Sequence, residues 1–228
     1  VPSPRTGFAS IRKLPPAHAM VIRHGRVEKI FRYWDIDPTQ RCALSFSDAA
    51  ERLRELVLEA TRIRLVSDVP LGAFLSGGVD SSITVAAMAR LSSRPVKTYA
   101  IGFDDERLNE LPYARQVAEH LGTEHHEEVC RPDAVDLLPK LIGHLGEPFA
   151  DNSILPSYYV ARFARQGVSV ALTGDGGDEA FGGYRRHLHM LRIETLERYG
   201  LLQLWGGLRR ATVALENRLK SADRQRIF

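Results

Sequence analysis

The stretch that decides the fold is Leu71–Ser82, which reads LGAFLSGGVDSS. Its first five residues are apolar or small and predict a short buried strand, and a run rich in apolar residues after Ser82 predicts a helix. Gly77 and Gly78 allow the backbone between them to turn sharply and to approach a ligand without Cβ clashes. The stretch therefore predicts a strand–loop–helix unit with a glycine-rich loop at the carboxyl end of the strand.

The chemistry of this loop favours phosphate. Ser76, Ser81 and Ser82 offer hydroxyl donors, and the helix start offers N–H groups and a partial positive charge. The Gly-Lys-Ser/Thr ending of a Walker A loop is absent, and Asp80 stands near the phosphate seat instead. A carboxylate beside polyphosphate needs a divalent cation, so the pattern predicts Mg²⁺. The alternative is a tight strand-to-helix turn with serine caps and no ligand.

Around this loop, strands and helices alternate. Helical patterns begin at Ser47 and recur at 83–89, 111–121, 133–145 and 157–165, and strands are predicted at 71–75, 96–103, 125–129 and 168–173. This order predicts an α/β fold whose parallel sheet is flanked by helices, with ligands at the carboxyl ends of the strands. Residues 1–45 predict a short β segment, with a hairpin turn at His24–Arg26, and a linker. Residues 46–187 are the predicted α/β domain, and residues 188–228 are a predicted helical tail.

A second glycine-rich loop follows the strand that ends at Thr173. It reads GDGGDEAFGGY from Gly174 and carries Asp175, Asp178 and Glu179 within five positions. These carboxylates repel one another and need a cation or a basic substrate, and the loop is predicted at the same sheet edge as the first. The two loops together predict a magnesium–ATP site. The alternative is a charged loop that only faces solvent.

Composition narrows the function classes further. The 228 residues carry a net charge of +3 with no clustered basic face, which argues against a nucleic-acid partner. No run approaches the ~20 apolar residues that span a bilayer, which argues against a membrane partner. The two cysteines, Cys42 and Cys130, stand far apart without CxxC spacing, so a zinc site and a disulfide framework are not indicated. We therefore expect a cytoplasmic protein.

Two levels of family resemblance follow from these strings. SGGVDSS at 76–82 resembles the signature of the PP-loop ATP pyrophosphatases, which cleave ATP to AMP and pyrophosphate. TGDGGDEAFGGY at 173–184 resembles the C-terminal synthetase domain of the glutamine-hydrolysing asparagine synthetase family. Further strings of that family, SDVPLGAFL at 67–75, GTEHH at 122–126 and EPFADNS at 147–153, follow in the family's order. The match spans about residues 10–187 and implies an adenine nucleotide alpha hydrolase-like fold.

The resemblance also implies an activity and a site. The family forms an amide by adenylating a carboxylate, here the aspartate side chain, and passing it to ammonia, with release of AMP and pyrophosphate. Asp80 and Asp178 are the implied Mg²⁺ ligands, and Asp175, Asp178 and Glu179 are the implied catalytic residues. ATP is the implied cofactor, and its implied contacts are Phe74, Leu75, Ser76, Gly77, Gly78, Asp80, Ser81, Ser82, Ile101, Thr173 and Gly174.

Several alternatives stay open. Related enzymes amidate or cyclise other carboxylates, namely sugar-linked, peptide or β-lactam-precursor carboxylates, and a non-catalytic nucleotide-binding module is a further possibility. Because no N-terminal cysteine begins the chain and no basic residue near the triphosphate is found downstream, we expect a truncated synthetase domain that binds nucleotide and is inactive alone. Residues 1–45 resemble the end of the family's glutaminase domain. Apolar residues near Leu201 predict that the tail packs on missing residues or on a second subunit in a homodimer.

Overall fold

An N-terminal hairpin opens the chain in the computed structural model, which describes residues 1–37, 39–131, 134–147, 149–151 and 153–201. Strands β1 (His18–Arg23) and β2 (Arg26–Arg32) pair antiparallel. The turn residues His24 and Gly25 have φ angles of 50° and 74°. Positive φ at both positions defines a two-residue hairpin turn whose twist matches that of the strands. The predicted hairpin is confirmed.

The central sheet contains four parallel strands: β3 (Leu71–Phe74), β4 (Lys97–Phe103), β5 (Glu124–Cys130) and β6 (Val170–Leu172). Their order is β5-β4-β3-β6, so β3 and β6 are neighbours although they are far apart in sequence. All pairings in this sheet are parallel. Because the carboxyl ends of parallel strands meet at one sheet edge, the residues that follow β3 and β6 lie side by side.

Five α-helices accompany these strands in the described part of the first compact unit, Val1–Gly174. They are α1 (Phe46–Arg64), α2 (Val79–Leu91), α3 (Leu111–Leu121), α4 (Ala134–Leu145) and α5 (Ile154–Ala164). A 3₁₀ turn, Glu106–Leu108, lies between β4 and α3. In the described ranges, no helix combines the length and the apolar composition that a membrane crossing requires.

The sheet is covered on both faces, which confirms the predicted fold class. On one face, Ala73 and Ala100 pack with Val85 and Met88 of α2 and with Ala114 of α3. On the other face, the buried Tyr99 packs with Ala164 of α5, and its ring meets Phe163 edge-on at 5.5 Å. This alternation along β4 follows from the two-residue period of a strand.

Several elements differ from their predicted bounds, and α5 and β6 show the physical reasons. Helix α5 begins at Ile154 rather than at 157, because Pro156 occupies the first helical turn, where its missing N–H costs nothing. Strand β6 covers only Val170–Leu172 of the predicted 168–173. The N–H of Val168 donates to the carbonyl of Ala164, the last residue of α5, at 2.9 Å and is therefore not available to the sheet.

The second compact unit is Asp175–Phe228, of which residues 175–201 are described. It contains α6 (Gly177–Phe181) and α7 (Arg185–Arg198). The sequence predicts a loop where α6 forms. The first described residues of the predicted helical tail, 188–198, are helical. The tail prediction for residues 202–228, including Leu202, Leu204 and Trp205, lies outside the described residues.

Candidate functional site

The first glycine-rich loop crosses the start of α3 at very close range. Gly77 has φ +80°, and a Cβ at this position would lie 2.4 Å from the carbonyl carbon of Tyr113 and 2.6 Å from the nitrogen of Ala114. Both the backbone conformation and the space therefore require glycine. The contact holds the loop against the start of α3.

Hydrogen bonds to serine hydroxyl groups stabilise the conformation of this loop. The Oγ atoms of Ser76 and Ser81 are 3.0 Å apart, and the N–H of Ser76 donates to Ser81 Oγ at 3.3 Å. The N–H of Gly78 donates to Ser76 Oγ at 3.2 Å. Ser82 lies apart from this network, since its Oγ is buried and has no hydrogen-bond partner among the described residues. The structure thus joins Ser76 and Ser81 and leaves the Ser82 hydroxyl facing inward.

The amino terminus of α2 has no side-chain cap. Gly78 is its N-cap and supplies no side-chain cap, and the first intrahelical bond runs from Ser82 N to Gly78 O at 3.0 Å. The preceding N–H groups, up to that of Ser81, have no intrahelical partner. Asp80 lies in the first turn, and its carboxylate makes no hydrogen bond or ion pair within the described part of the chain. Such a terminus attracts an anion, and the free carboxylate beside it is a typical ligand for a divalent cation.

The residue that opens the second glycine-rich loop packs directly on this helix start. A Cβ at Gly174 would lie 2.6 Å from the nitrogen of Ser81 and 3.0 Å from Cβ of Asp80. The hydroxyl of Thr84 also reaches the carbonyl of Thr173 at 3.5 Å. The predicted convergence of Thr173 and Gly174 with the first loop is therefore visible in the structure.

A cleft of about 190 Å³ opens at the carboxyl ends of β3 and β4. Its wall from α5 consists of Pro156, Ser157 and Val160. Its other lining residues come from the two strands and from the loop before α3, namely Phe74, Leu75, Ser76, Tyr99, Ala100, Ile101 and Glu110. Four residues predicted to contact the nucleotide, Phe74, Leu75, Ser76 and Ile101, thus share one cleft.

The acidic residues of the second loop belong to the second unit. Asp178 and Glu179 lie in the first turn of α6, where the helix dipole favours negative charge, and Asp175 precedes the helix. The Tyr184 hydroxyl donates a short hydrogen bond to Glu179 Oε1. This bond is the main cause that lowers the pKa of Glu179 and raises that of Tyr184. Glu179 is thereby held ionised and oriented.

Gly183 provides the space for Asp178. A Cβ at Gly183 would lie 1.8 Å from Asp178 Oδ1, and the N–H of Gly183 donates to the carbonyl of Asp178 at 3.1 Å. Among the described residues, the Asp178 carboxylate has neither a hydrogen bond nor an ion pair of its own. Like that of Asp80, it is chemically suited to a cation. Clusters of three or more His, Cys, Asp or Glu side chains that could hold a metal ion are not found within the described ranges.

Two acids of the EPFADNS string, Glu147 and Asp151, have structural partners. Asp151 Oδ1 accepts the N–H of Ser153 at 2.9 Å, just before α5, and backbone bonding there lowers its pKa. Glu147 forms an ion pair with Lys13, and the hydrogen bond from Lys13 is the largest cause of its lowered pKa. Asp151 thus stabilises the turn that leads into α5. Glu147 links its segment to the N-terminal part of the chain through Lys13.

The adjacent histidines point to opposite faces of β5, as the strand period predicts. His125 Nδ1 lies 2.8 Å from the hydroxyl of Thr98, which is buried. The ring of His126 stacks on Tyr99 at 5.0 Å on the other face. Burial is the main cause that lowers the pKa of His125, and Glu127 acts in the opposite direction. Both imidazoles therefore serve packing in this structure.

Sequence reasoning assigned no ligand role to six of the ten described cleft residues, among them Glu110 and Ser157. Neither stands in a glycine-rich loop, and Glu110 precedes α3 by a single residue, where an acid is ordinarily interpreted as a helix-start residue. Only the position of both residues at the same sheet edge as the first loop could have drawn attention to them.

The chain is similar in sequence to known proteins over most of its length. The family model for asparagine synthase matches residues 52–227. Asparagine synthetase [glutamine-hydrolyzing] 1 of Bacillus subtilis is 34% identical over 201 residues, which are 87% of this chain and 31% of that protein. Putative asparagine synthetase [glutamine-hydrolyzing] 2 of Methanocaldococcus jannaschii is 35% identical, over 87% of this chain and 39% of that protein. The chain thus spans about a third of the length of these relatives.

Among solved structures, NMN synthetase from Francisella tularensis matches with a TM-score of 0.40 and 18% identity, over 62% of this chain and 59% of that chain. The match to the family model, by contrast, extends over most of the chain and includes both glycine-rich loops. This chain belongs to the asparagine synthase family.

Proposed function

We propose that this chain is the ATP-binding part of a carbon–nitrogen ligase that adenylates a carboxylate and passes it to ammonia. The observation that carries the proposal is the uncapped amino terminus of α2, with Asp80 in its first turn and Gly174 packed on its backbone. Phosphate binds such termini, and the glycine contact leaves no side chain to cover the seat. Membership of the asparagine synthase family supports ATP as the nucleotide.

Each predicted site residue receives a proposed role. The loop residues Ser76, Gly77, Gly78 and Ser81 surround pyrophosphate with hydroxyl and N–H donors. The cleft residues Phe74, Leu75 and Ile101, together with Thr173 and Gly174, contact adenosine. Ser82 is proposed as a contact through its backbone, because its hydroxyl is buried.

Asp80 and Asp178 are the proposed ligands of Mg²⁺, because each carboxylate is free of competing partners among the described residues. When bound, the ion supplies positive charge that offsets the charge of the departing pyrophosphate. Glu179, held ionised by Tyr184, and Asp175 are proposed to bind the amine of the substrate or the attacking ammonia.

The proposed reaction has two steps. A carboxylate oxygen of the substrate attacks the α-phosphorus of ATP, and pyrophosphate leaves. The nitrogen of ammonia then attacks the acyl carbon and loses a proton, and AMP leaves. The N–H groups of the first loop and of the α2 terminus stabilise the negative charge that develops on pyrophosphate. The side chain of aspartate is the proposed carboxylate.

Partners of the intact protein are proposed from its relatives, whose names include glutamine hydrolysis. A glutaminase domain of the same polypeptide would supply ammonia, and residues 1–45 would be its end. A homodimer is the proposed assembly. The two cysteines, exposed Cys42 and buried Cys130, are both free thiols, which fits the proposed location in the cytoplasm.

The test is to incubate the chain with Mg²⁺-ATP, ammonia and a panel of carboxylates, and to follow the products by phosphorus NMR. AMP and pyrophosphate that form only with aspartate, together with asparagine, are the expected products. Dependence on a different carboxylate would identify a related amidotransferase or cyclase. ADP and phosphate as products would overturn the proposal.

A binding measurement tests the nucleotide site independently of whether the chain completes the reaction. Calorimetry with Mg²⁺-ATP is expected to show saturable binding even where the chain alone does not complete the reaction. A chain that binds ATP and is silent in the assay would then be measured again within a longer polypeptide. A longer polypeptide that is also silent would favour a non-catalytic nucleotide-binding module.

A further inference from the structure

Among the described residues that line the cleft at the ends of β3 and β4, Glu110 carries the one ionisable carboxylate. Most of the other lining residues are apolar, and Ser76 at one end is already joined to Ser81. A single charged acceptor in an apolar cleft is the arrangement by which binding sites fix the orientation of a ligand.

The Glu110 carboxylate does not stabilise the start of α3. Glu110 is the N-cap of α3, but its side chain makes no capping hydrogen bond. Its main-chain carbonyl accepts the N–H groups of Tyr113 at 3.0 Å and Ala114 at 3.1 Å. Within the described part of the chain, the carboxylate has no hydrogen bond or ion pair. It is therefore available to a ligand.

The negative charge of the Glu110 carboxylate determines which part of a nucleotide can bind to it. A carboxylate repels phosphate, so the phosphates belong at the α2 terminus, beyond Ser76. An ionised carboxylate only accepts hydrogen bonds, so its ligand group must donate them. The neighbouring hydroxyls of a ribose are two such donors, and acidic residues bind ribose in this way in other nucleotide-binding sheets.

From these contacts, and resting on the proposed function, we infer that Glu110 binds the ribose hydroxyls of the nucleotide in the cleft. The apolar side chains of Phe74 and Ile101 then lie along the base, and the chain selects ribonucleotides over nucleotides that lack both hydroxyls. Ser157, on the wall of the cleft that α5 provides, offers a hydroxyl within the same lining.

The experiment compares ATP with 2′,3′-dideoxy-ATP by calorimetry in the presence of Mg²⁺. The unaltered chain should bind the dideoxy nucleotide about tenfold more weakly or worse, the loss expected for hydrogen bonds to a charged group. Glu110→Ala should weaken ATP binding by the same factor and leave the dideoxy nucleotide unaffected. The ratio between the two nucleotides should then fall to about one.

Matched controls keep the outcome clear. Glu106→Ala removes a carboxylate from the same loop outside the cleft, and it should keep the wild-type ratio. Circular dichroism of Glu110→Ala should be unchanged, because the side chain does not cap α3. If the ratio survives in Glu110→Ala while ATP still binds, the ribose assignment is overturned and the proposed function stands. If the folded, unaltered chain binds no ATP, both are overturned.

Discussion

The backbone of Ser81 leaves no room for a side chain at Gly174, because a Cβ there would lie 2.6 Å from the Ser81 nitrogen. The two residues are held together by the pairing of β3 with β6. Through this contact the strand that ends at Leu172 supports the helix terminus to which we assign phosphate. The relationship gives the first of five predictions.

Gly174→Ala should push the end of β6 away from the start of α2. Overpacking of this kind costs about 1–3 kcal/mol of unfolding free energy, and ATP affinity should fall as well. Chemical denaturation and calorimetry measure the two effects. Gly143→Ala, in the interior of α4 where an added Cβ meets nothing within 4 Å, is the control and should stabilise slightly or be neutral. A Gly174→Ala chain as stable as the wild type would contradict the contact.

Asp80→Asn should remove the dependence of ATP binding on Mg²⁺. The neutral amide is a weaker ligand for the ion, so the enhancement of affinity by Mg²⁺ should fall about tenfold or more. Calorimetric titrations with and without Mg²⁺ measure the enhancement. The unfolding free energy should change little, by about 0.3–1 kcal/mol from the lost helix-terminus interaction. Asp68→Asn, in the exposed turn before β3, should keep the full Mg²⁺ effect, and an undiminished effect in Asp80→Asn would reject the ligand assignment.

Ser81→Ala should loosen the first loop. The N–H of Ser76 would lose its acceptor, which costs about 1–2 kcal/mol of unfolding free energy, and ATP should bind more weakly. Ser81→Thr keeps a hydroxyl and should restore part of both losses. The control is Ser93→Ala, in the exposed connection between α2 and β4. Equal effects of the Ala and Thr variants would show that the hydroxyl is not what matters.

The stability of the first unit should depend on the protonation of His125. Burial lowers the pKa of this imidazole below its ordinary value of 6.5, and the folded state therefore binds the proton less readily than the unfolded state. Stability from this group is present above pH ~6.5 and declines as the pH falls from there toward the lowered pKa. The charges of Glu127, His126 and Arg115 also act on this imidazole, and the net direction includes them.

Unfolding free energies measured between pH 7 and pH 5 test this dependence. His125→Asn should flatten the decline on the acid side, although the lost bond to Thr98 lowers stability at every pH. His120→Asn, at the exposed end of α3, should leave the slope as in the wild type. A slope that is the same in all three proteins would refute the assignment.

Tyr184→Phe should release Glu179. Without the phenolic hydroxyl, the pKa of the Glu179 carboxyl should rise toward its ordinary value of 4.5, because that hydrogen bond is the largest cause of the present lowering. Carbon-13 NMR titration of the carboxyl group measures the change. Tyr199→Phe, at an exposed position of the same unit, should leave the titration of Glu179 as it is. An unchanged titration in Tyr184→Phe would contradict the bond.

Local pattern was sufficient for the order of the strands and α-helices of the first unit, whereas α6 of the second unit was predicted as a loop. Apolar runs of strand length, helical periodicity and paired glycines each report on a few neighbouring residues, and the helix α3 was predicted with its observed bounds. The predicted bounds were wrong where a neighbouring element uses the same backbone groups. Val168 is the example, since its N–H is used by the end of α5 and not by β6.

Glycine-rich strings, hydroxyls and acids were likewise sufficient to name the residues of the first loop, because that chemistry is local. Only the tertiary structure decided that β3 and β6 are neighbours, and hence that Gly174 packs on Ser81. It alone also brought Glu110 and Ser157 to the cleft. Such contacts depend on the order of strands in the sheet, which long-range packing sets and which no window of neighbouring residues contains.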